Sequence, residues 1–485
     1  MRKVLIPMLE VLTLGTALLL SPPVTASAIE TNVASASTVK DQTGMTLTVY
    51  NDNLGLVKDR RTITMHKGVG ELRFMDVASG IIPASVSITC LSGSEKFRVL
   101  EQNYEYDLLN PQKLLDKYVG KEVRLYQKNP YTEREEIVSA TLLANNGGPI
   151  FRIGADITFG HPGRIIFPGV PENLIARPTL VWLVENGSTR PLKVEARYLT
   201  GGISWRADYV LTLNEHDTRA DLAGWVTIDN KSGATYRDAG LKLVAGDVNR
   251  VREEPAMRGR MLKSALAEAA PDFREEAFFE YHIYTLDRPS TIKDNQIKQI
   301  SLLRAAGVPV KKEFLLQGEP RFFSSSSRTA QVTRKVSVFL EIENRKRNGL
   351  GIPLPKGTVR VYKQDRDGSL QFAGEDTVDH TAKDEKLRIR MGEVFDVVAE
   401  RKQTEWKKIA ADTYEAAFEI TLRNHKTEDI VVRVEEPIPA DWTMLSSSHP
   451  WKKSDAFAAE FSIPVPKDKE AKLLYRVRIR YKGKE

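Results

Sequence analysis

The residues best equipped for chemistry fall in one short stretch, GGISWRADYVLTLNEHDTRADLAGWVTIDN, residues 201–230. It holds Ser204, His216, Asp208 and Asp217, the residue types from which a nucleophile, a base and an orienting carboxylate are assembled. Hydrolysis of a glycan or peptide is the reaction they would serve. Their spacing argues against it. Strand alternation puts Trp205, Ala207, Tyr209, Leu211 and Leu213 on one face, and Arg206, Asp208 and Thr212 on the other. After NEHDT, the return strand collects Leu222, Gly224, Val226 and Ile228 on one face, with Trp225 and Thr227 opposite. At about 3.3 Å per residue, Ser204 and His216 stand roughly 30 Å apart. No G-x-S-x-G elbow lifts the serine onto a strained turn. The stretch predicts a β-hairpin with an apolar core face, and Arg206 with Asp208 as a modest surface ion pair.

Other candidates reduce in the same way. His66, His161, His216, His282, His380, His425 and His449 are scattered, with no H-x-H, H-E-x-x-H or C-x-x-C spacing that would hold a metal. DRDG at Asp365 to Gly368 lacks the further ligands of a calcium loop and predicts a hairpin turn. In YRVRIRY, Arg476, Arg478 and Arg480 share one strand face. They offer a ladder for an anionic polymer, or a solvated face paired with acids such as Glu419 or Glu435. Trp406, Trp442 and Trp451 would form a stacking platform for a sugar if exposed, but are read as lying in or beside a C-terminal core. Cys90, the one cysteine, is expected buried in a strand and cannot close an intramolecular bridge. The sequence thus assigns no catalytic, cofactor-binding or metal-ligating residue, and no cofactor.

The elements that hold these residues are mostly short strands. Residues 1–28 read as a secretory signal peptide: Arg2 and Lys3, the apolar run 11–20, then Ala26-Ser27-Ala28. An exported chain in the periplasm or cell envelope is expected, and no later run is long enough to span a membrane. Net charge is +7 overall, mildly basic, without the basic–aromatic interleaving that binds nucleic acid. An all-β fold is predicted, with several stacked β-sandwich units. Residues 29–43 form a flexible leader and 44–100 begin an N-terminal sandwich. Residues 101–170 add a short helix and a small β-barrel, inserted before the sandwich resumes over 171–252. A helical or disordered linker covers 253–278, a β-rich domain 279–403, and an immunoglobulin-like sandwich 404–485.

Seven collinear segments carry a resemblance: YNDNLGLVKDRRTI, EQNYEYDLLNPQKLLDKYVGKEV, YLTGGISWRADYVLTL, WVTIDNKSGATYRDAGLKLVAGDVN, YTLDRPSTIKDNQIKQISLL, GIPLPKGTVRVYKQDRDG and GEVFDVVAERKQTEW. From about Met45 to Tyr481 the chain resembles a bacterial exported family of unknown function, whose core domain also occurs in mucoidy-inhibitor-type proteins. The resemblance implies an all-β, multi-domain envelope protein and transfers no catalytic residue. The long coiled-coil insert of the mucoidy-inhibitor members is missing here, so a role in exopolysaccharide control is not carried over. The expected function is non-enzymatic binding or scaffolding, with an envelope protein or an anionic polymer as partner. The alternatives are an envelope glycan or peptide hydrolase, and a carbohydrate-binding, adhesin-like protein.

Overall fold

The computed structural model describes residues 34–92, 97–128, 135–161, 163–171, 174–246, 273–278, 281–326 and 332–481. The signal peptide over 1–28 and the part of the 253–278 linker before Phe273 lie outside the described residues. The fold is all-β, as the period-two patterning predicts, with a single α-helix among the described residues.

The first unit pairs two sheets around one core. Ser35–Ser37, Gly68–Met75, Thr179–Asn186 and Phe97–Glu105 make the smaller sheet, in that order. The larger runs Phe273–Phe278, Tyr281–Leu286, Tyr236–Ala245, Gln42–Tyr50, Leu54–Ile63, Leu192–Thr200, Ser87–Cys90. Leu72, Phe74 and Trp182 of one sheet meet Leu47, Val49 and Val57 of the other. Two expectations are corrected here. The leader predicted over 29–43 is ordered from Ser35, because Ser35–Ser37 adds a parallel strand beside Gly68–Met75. Arg61, fully buried, donates to the Ser37 carbonyl at 3.0 Å while Asp59 neutralises it at 2.7 Å. The end of the predicted linker, Phe273–Phe278, is an antiparallel edge strand on Tyr281–Leu286 and not a helix.

The small module is an insertion in the strict sense. Phe97–Glu105 and Thr179–Asn186 are antiparallel partners within the host sheet. Between them the chain builds its own five-stranded sheet, ordered Asp156–Phe159, Ile150–Ile153, Glu135–Ala144, Glu122–Lys128, Arg164–Ile166. Val123, Leu125, Leu142 and Phe151 form a separate core beneath Tyr118 of the helix Pro111–Tyr118. That helix starts where predicted: Asn110 accepts from the Lys113 amide at 2.9 Å, Pro111 occupies the first turn, and Gly120 follows at φ +82°. The chain leaves and re-enters the host through a parallel bridge between Leu108 and Ile175.

A third sheet, ordered Gln296–Pro309, Arg219–Asn230, Ile203–Leu213, Gly357–Gln364, Leu370–Val378, shares the first unit's core. The chain turns into it at Gly202, which has φ +76° and packs so closely that a Cβ would lie 2.6 Å from the Lys231 carbonyl. The segment Leu350 to Pro355 is buried throughout. A buried loop must satisfy its backbone polar groups. Asn344 donates to the Ile352 carbonyl at 2.7 Å, Tyr284 to Pro353 at 2.9 Å and Tyr209 to Pro355 at 2.8 Å.

The C-terminal unit is a nine-stranded sheet, ordered Asp441–Ser447, Glu470–Arg480, Thr413–Asn424, Lys386–Lys408, Val332–Glu343, Lys311–Gln317, Ile430–Pro437, Ala458–Val465, Trp451–Asp455. It curls into a nearly closed barrel, since its two edge strands are consecutive in the chain and Trp442 meets Trp451 at a ring separation of 5.6 Å. The sequence places a boundary at 403/404 and an immunoglobulin-like sandwich beyond it. Lys386–Lys408 runs straight through that boundary, and two strands wholly before residue 404, Lys311–Gln317 and Val332–Glu343, take part in the same sheet. Val332–Glu343 and Lys386–Lys408 also serve both cores: Leu340, Ile342, Leu387 and Ile389 face the first, Val336, Val397 and Ala399 the barrel interior.

Candidate functional site

The hairpin that concentrates Ser204, His216, Asp208 and Asp217 does not bring them together. Ser204 sits at the start of Ile203–Leu213, paired in register with Asp229, while His216 lies in the turn beyond Leu213 at the other end. Trp205, Ala207, Tyr209, Leu211 and Leu213 form the buried face as predicted, with Leu222, Val226 and Ile228 beside them. The opposite face carries the expected pair of Arg206 with Asp208, but the carboxylate has more partners than that one. Asp208 is buried, accepting from Thr227 Oγ1 at 2.6 Å, with Arg206 at 3.4 Å and Arg360 at 3.2 Å. The two arginines stay largely in solvent, 58% and 40% exposed, and it is the carboxylate between them that is buried. Asp217, at φ +55°, is clamped by Lys312 at 2.7 Å and Lys363 at 2.5 Å. Burial works against its ionisation, but the hydrogen bonds and charges of the two lysines outweigh burial and hold its carboxyl below the ordinary range.

The other candidates are also engaged. Asp365 and Asp367 turn their carboxylates onto the backbone of their own turn, at the amides of Asp367 and Ser369, with Gly368 at φ +87°. Among the described residues, no group of three or more His, Cys, Asp or Glu side chains could hold a metal. Each guanidinium of the arginine ladder has a carboxylate: Arg476 pairs with Glu405 and Glu415, Arg478 with Glu415 at 2.8 Å, Arg480 with Asp412 at 3.0 Å. The partners are thus Glu415 of the adjoining strand, Glu405 of the strand beyond it and Asp412 of the turn between those two, and not Glu419 or Glu435. Trp442 is buried, Trp451 is 39% exposed beside it, and Trp406 stacks on Tyr414 at 5.2 Å. The three do not make one platform. Cys90 is buried, its thiol donating to the Ser92 carbonyl.

The arrangement with unspent binding capacity lies at one end of the barrel, where sequence reasoning saw nothing. Residue 401 continues the inward face set by Val397 and Ala399, and residue 436 continues that of Val432 and Val434. These positions carry Arg401, 5% exposed, and Glu436, 0% exposed. They form an ion pair, and Arg401 Nη2 donates to the Tyr475 hydroxyl at 2.9 Å. Burial opposes the charge on Arg401; Glu436 more than compensates and raises its pKa. Phe322 and Phe418 lie over the guanidinium at 4.3 and 4.5 Å from their centroids. Gly318 passes directly above the carboxylate, where a Cβ would meet Glu436 Oε2 at 2.7 Å. A small cleft of about 10 Å³ opens here, lined by Leu316, Ala399 and Phe322 as well as the charged pair. Arg401 Nε, Arg334 Nε and Glu436 Oε2 are buried at it without a hydrogen-bond partner among the described residues. The signal that could have found the pair is a charged residue at an inward position of two alternating strands.

A second feature lies on the inserted module. Asp156–Phe159 is an edge strand whose Ile157 and Phe159, in register with Arg152 and Ile150, point away from the core residue Phe151. They are 65% and 82% exposed. No helix among the described residues is long and apolar enough to cross a membrane. No family model matches the chain, and no curated protein matches it.

Proposed function

We propose that this is an exported, non-enzymatic envelope protein that binds or scaffolds a protein partner, with the inserted module as its contact element. The observation that carries the reading is the apolar strip of Ile157 and Phe159 on the edge of a module with its own core. Large apolar side chains turned outward on an unpaired strand edge suit association with another polypeptide. The carboxylates and guanidiniums singled out in the hairpin and ladder support it too, being engaged in intramolecular pairs. Export rests on the signal-peptide pattern, and the resemblance to the exported bacterial family is of a piece with it.

The test is affinity capture from an envelope fraction with the mature protein beside an Ile157→Lys, Phe159→Lys variant of unchanged melting temperature. A partner recovered by the first and lost with the second is expected. Equal recovery by both would sink the contact assignment. No partner together with turnover on a glycan or peptide panel would establish the hydrolase alternative. N-terminal sequencing of the exported chain, expected to begin at Ile29, checks localisation.

A further inference from the structure

We propose that the outward face of the inserted module docks an acidic polypeptide segment bearing apolar side chains, which joins the open edge at Asp156–Phe159 and then crosses the sheet. This partner chemistry rests on reading the module as the contact element. Pairing register defines the face. Arg152 lies opposite both Ile157 and Thr141, Arg124 opposite Ser139, and Tyr126 opposite both Ile137 and Arg164. Val123, Leu125, Leu142 and Phe151 turn inward to the module's core. Alternation therefore puts Arg124, Arg152 and Arg164 on the outer side, together with Ile137, Ile157 and Phe159. All six are exposed.

Charge selects the partner. The arginine ladder of the barrel is matched by carboxylates, but Arg124, Arg152 and Arg164 have none in salt-bridge reach among the described residues. Lys128 adds a fourth cation, in register with Glu135, whose carboxylate accepts from the Tyr126 hydroxyl at 2.6 Å. Glu122 is the other acid on this face. The surplus is positive, which draws an anionic visitor. The edge decides its class. Asp156–Phe159 is the last strand of its sheet, with no neighbour beyond it among the described residues. A lipid headgroup or a polysaccharide cannot continue a strand ladder, whereas another polypeptide can. With Arg164 four strands from that edge, strand spacing of about 4.8 Å makes the face roughly 19 Å wide. About six extended residues cross it at roughly 3.3 Å each. Apolar side chains of the segment meet Ile157 and Phe159 at the edge, and acidic ones further along meet Arg152, Arg124 and Arg164.

The experiment measures binding of the full mature protein to a random glutamate–tyrosine copolymer by biolayer interferometry. Polyglutamate, a lysine–tyrosine copolymer, phosphatidylglycerol-containing vesicles and dextran sulfate are the comparison probes. Saturable, salt-sensitive binding to glutamate–tyrosine is expected, weaker binding to polyglutamate, and none to lysine–tyrosine. Arg124→Gln, Arg152→Gln, Arg164→Gln together are expected to weaken binding roughly tenfold. Arg190→Gln, Arg237→Gln, Arg366→Gln remove the same charge from other exposed positions and should leave it close to wild type. If the first triple variant does not fold, the probe series on the wild-type protein still decides. No saturable binding to glutamate–tyrosine overturns the assignment, as do equal losses in the two triple variants or tighter binding to vesicles or dextran sulfate. The two readings fail separately. Envelope capture retained by Ile157→Lys, Phe159→Lys sinks the contact element itself; capture lost there but kept by the Arg124, Arg152, Arg164 variant sinks only the acidic partner.

Discussion

Asp217 and Glu436 show how differently two charged side chains can serve one chain. Asp217 anchors a turn to two strands through Lys312 and Lys363. Its folded pKa is depressed, so its contribution is present above the unfolded value near 3.9 and is lost as pH falls through the folded value. Asp217→Asn is expected to cost roughly 1–2 kcal/mol at neutral pH. The gap between variant and wild type in urea melts should close toward acid; a gap constant to pH 3 would contradict the assignment. Glu436 has no such solvent refuge. Glu436→Ala strands Arg401 inside the barrel and is expected to cost about 3–5 kcal/mol. Replacing the pair together, Arg401→Met with Glu436→Leu, should cost less than Glu436→Ala alone by denaturant midpoint. A double variant as weak as that single one would show that the ion pair is not what is lost.

At the scale of elements, the corners and insertions carry the topology. Gly202 turns the chain between sheets at a positive φ and at close backbone approach. Gly202→Ala is expected to lose roughly 2 kcal/mol or more, measured by thermal melting; a shift within error would show that the corner relaxes. The strands themselves were readable, because alternation is local: every apolar position assigned to the buried face of Ile203–Leu213 is buried. The cap of Pro111–Tyr118 was readable for the same reason. The barrel-end site was not. Arg401 and Glu436 lie 35 residues apart on strands that are not neighbours, and only closure of the sheet makes them meet. Nor did the apolar run 350–355 announce its burial, since two tyrosines from distant strands, with Asn344 just before the run, make that burial tolerable.

For the molecule as a whole, the sequence suggests beads joined by linkers, and the sheets replace that picture with interleaved units. Turn signals punctuate the chain about every ten residues but do not say which strands pair across them. Val332–Glu343 and Lys386–Lys408 belong to both cores, so neither core can lose them without disturbing the other. Calorimetry is expected to show the barrel and the adjoining core melting together. Two resolved transitions, assigned to the two cores by hydrogen exchange, would contradict that. The shared strands also bear on force. Lys386–Lys408 holds 23 residues, roughly 75 Å of extended chain at about 3.3 Å per residue. Ladder hydrogen bonds on both its flanks stand across its axis. Tension drawn along it is therefore carried by many bonds at once in shear, instead of peeling them singly, and the strand acts as a tie rod between the two cores it serves.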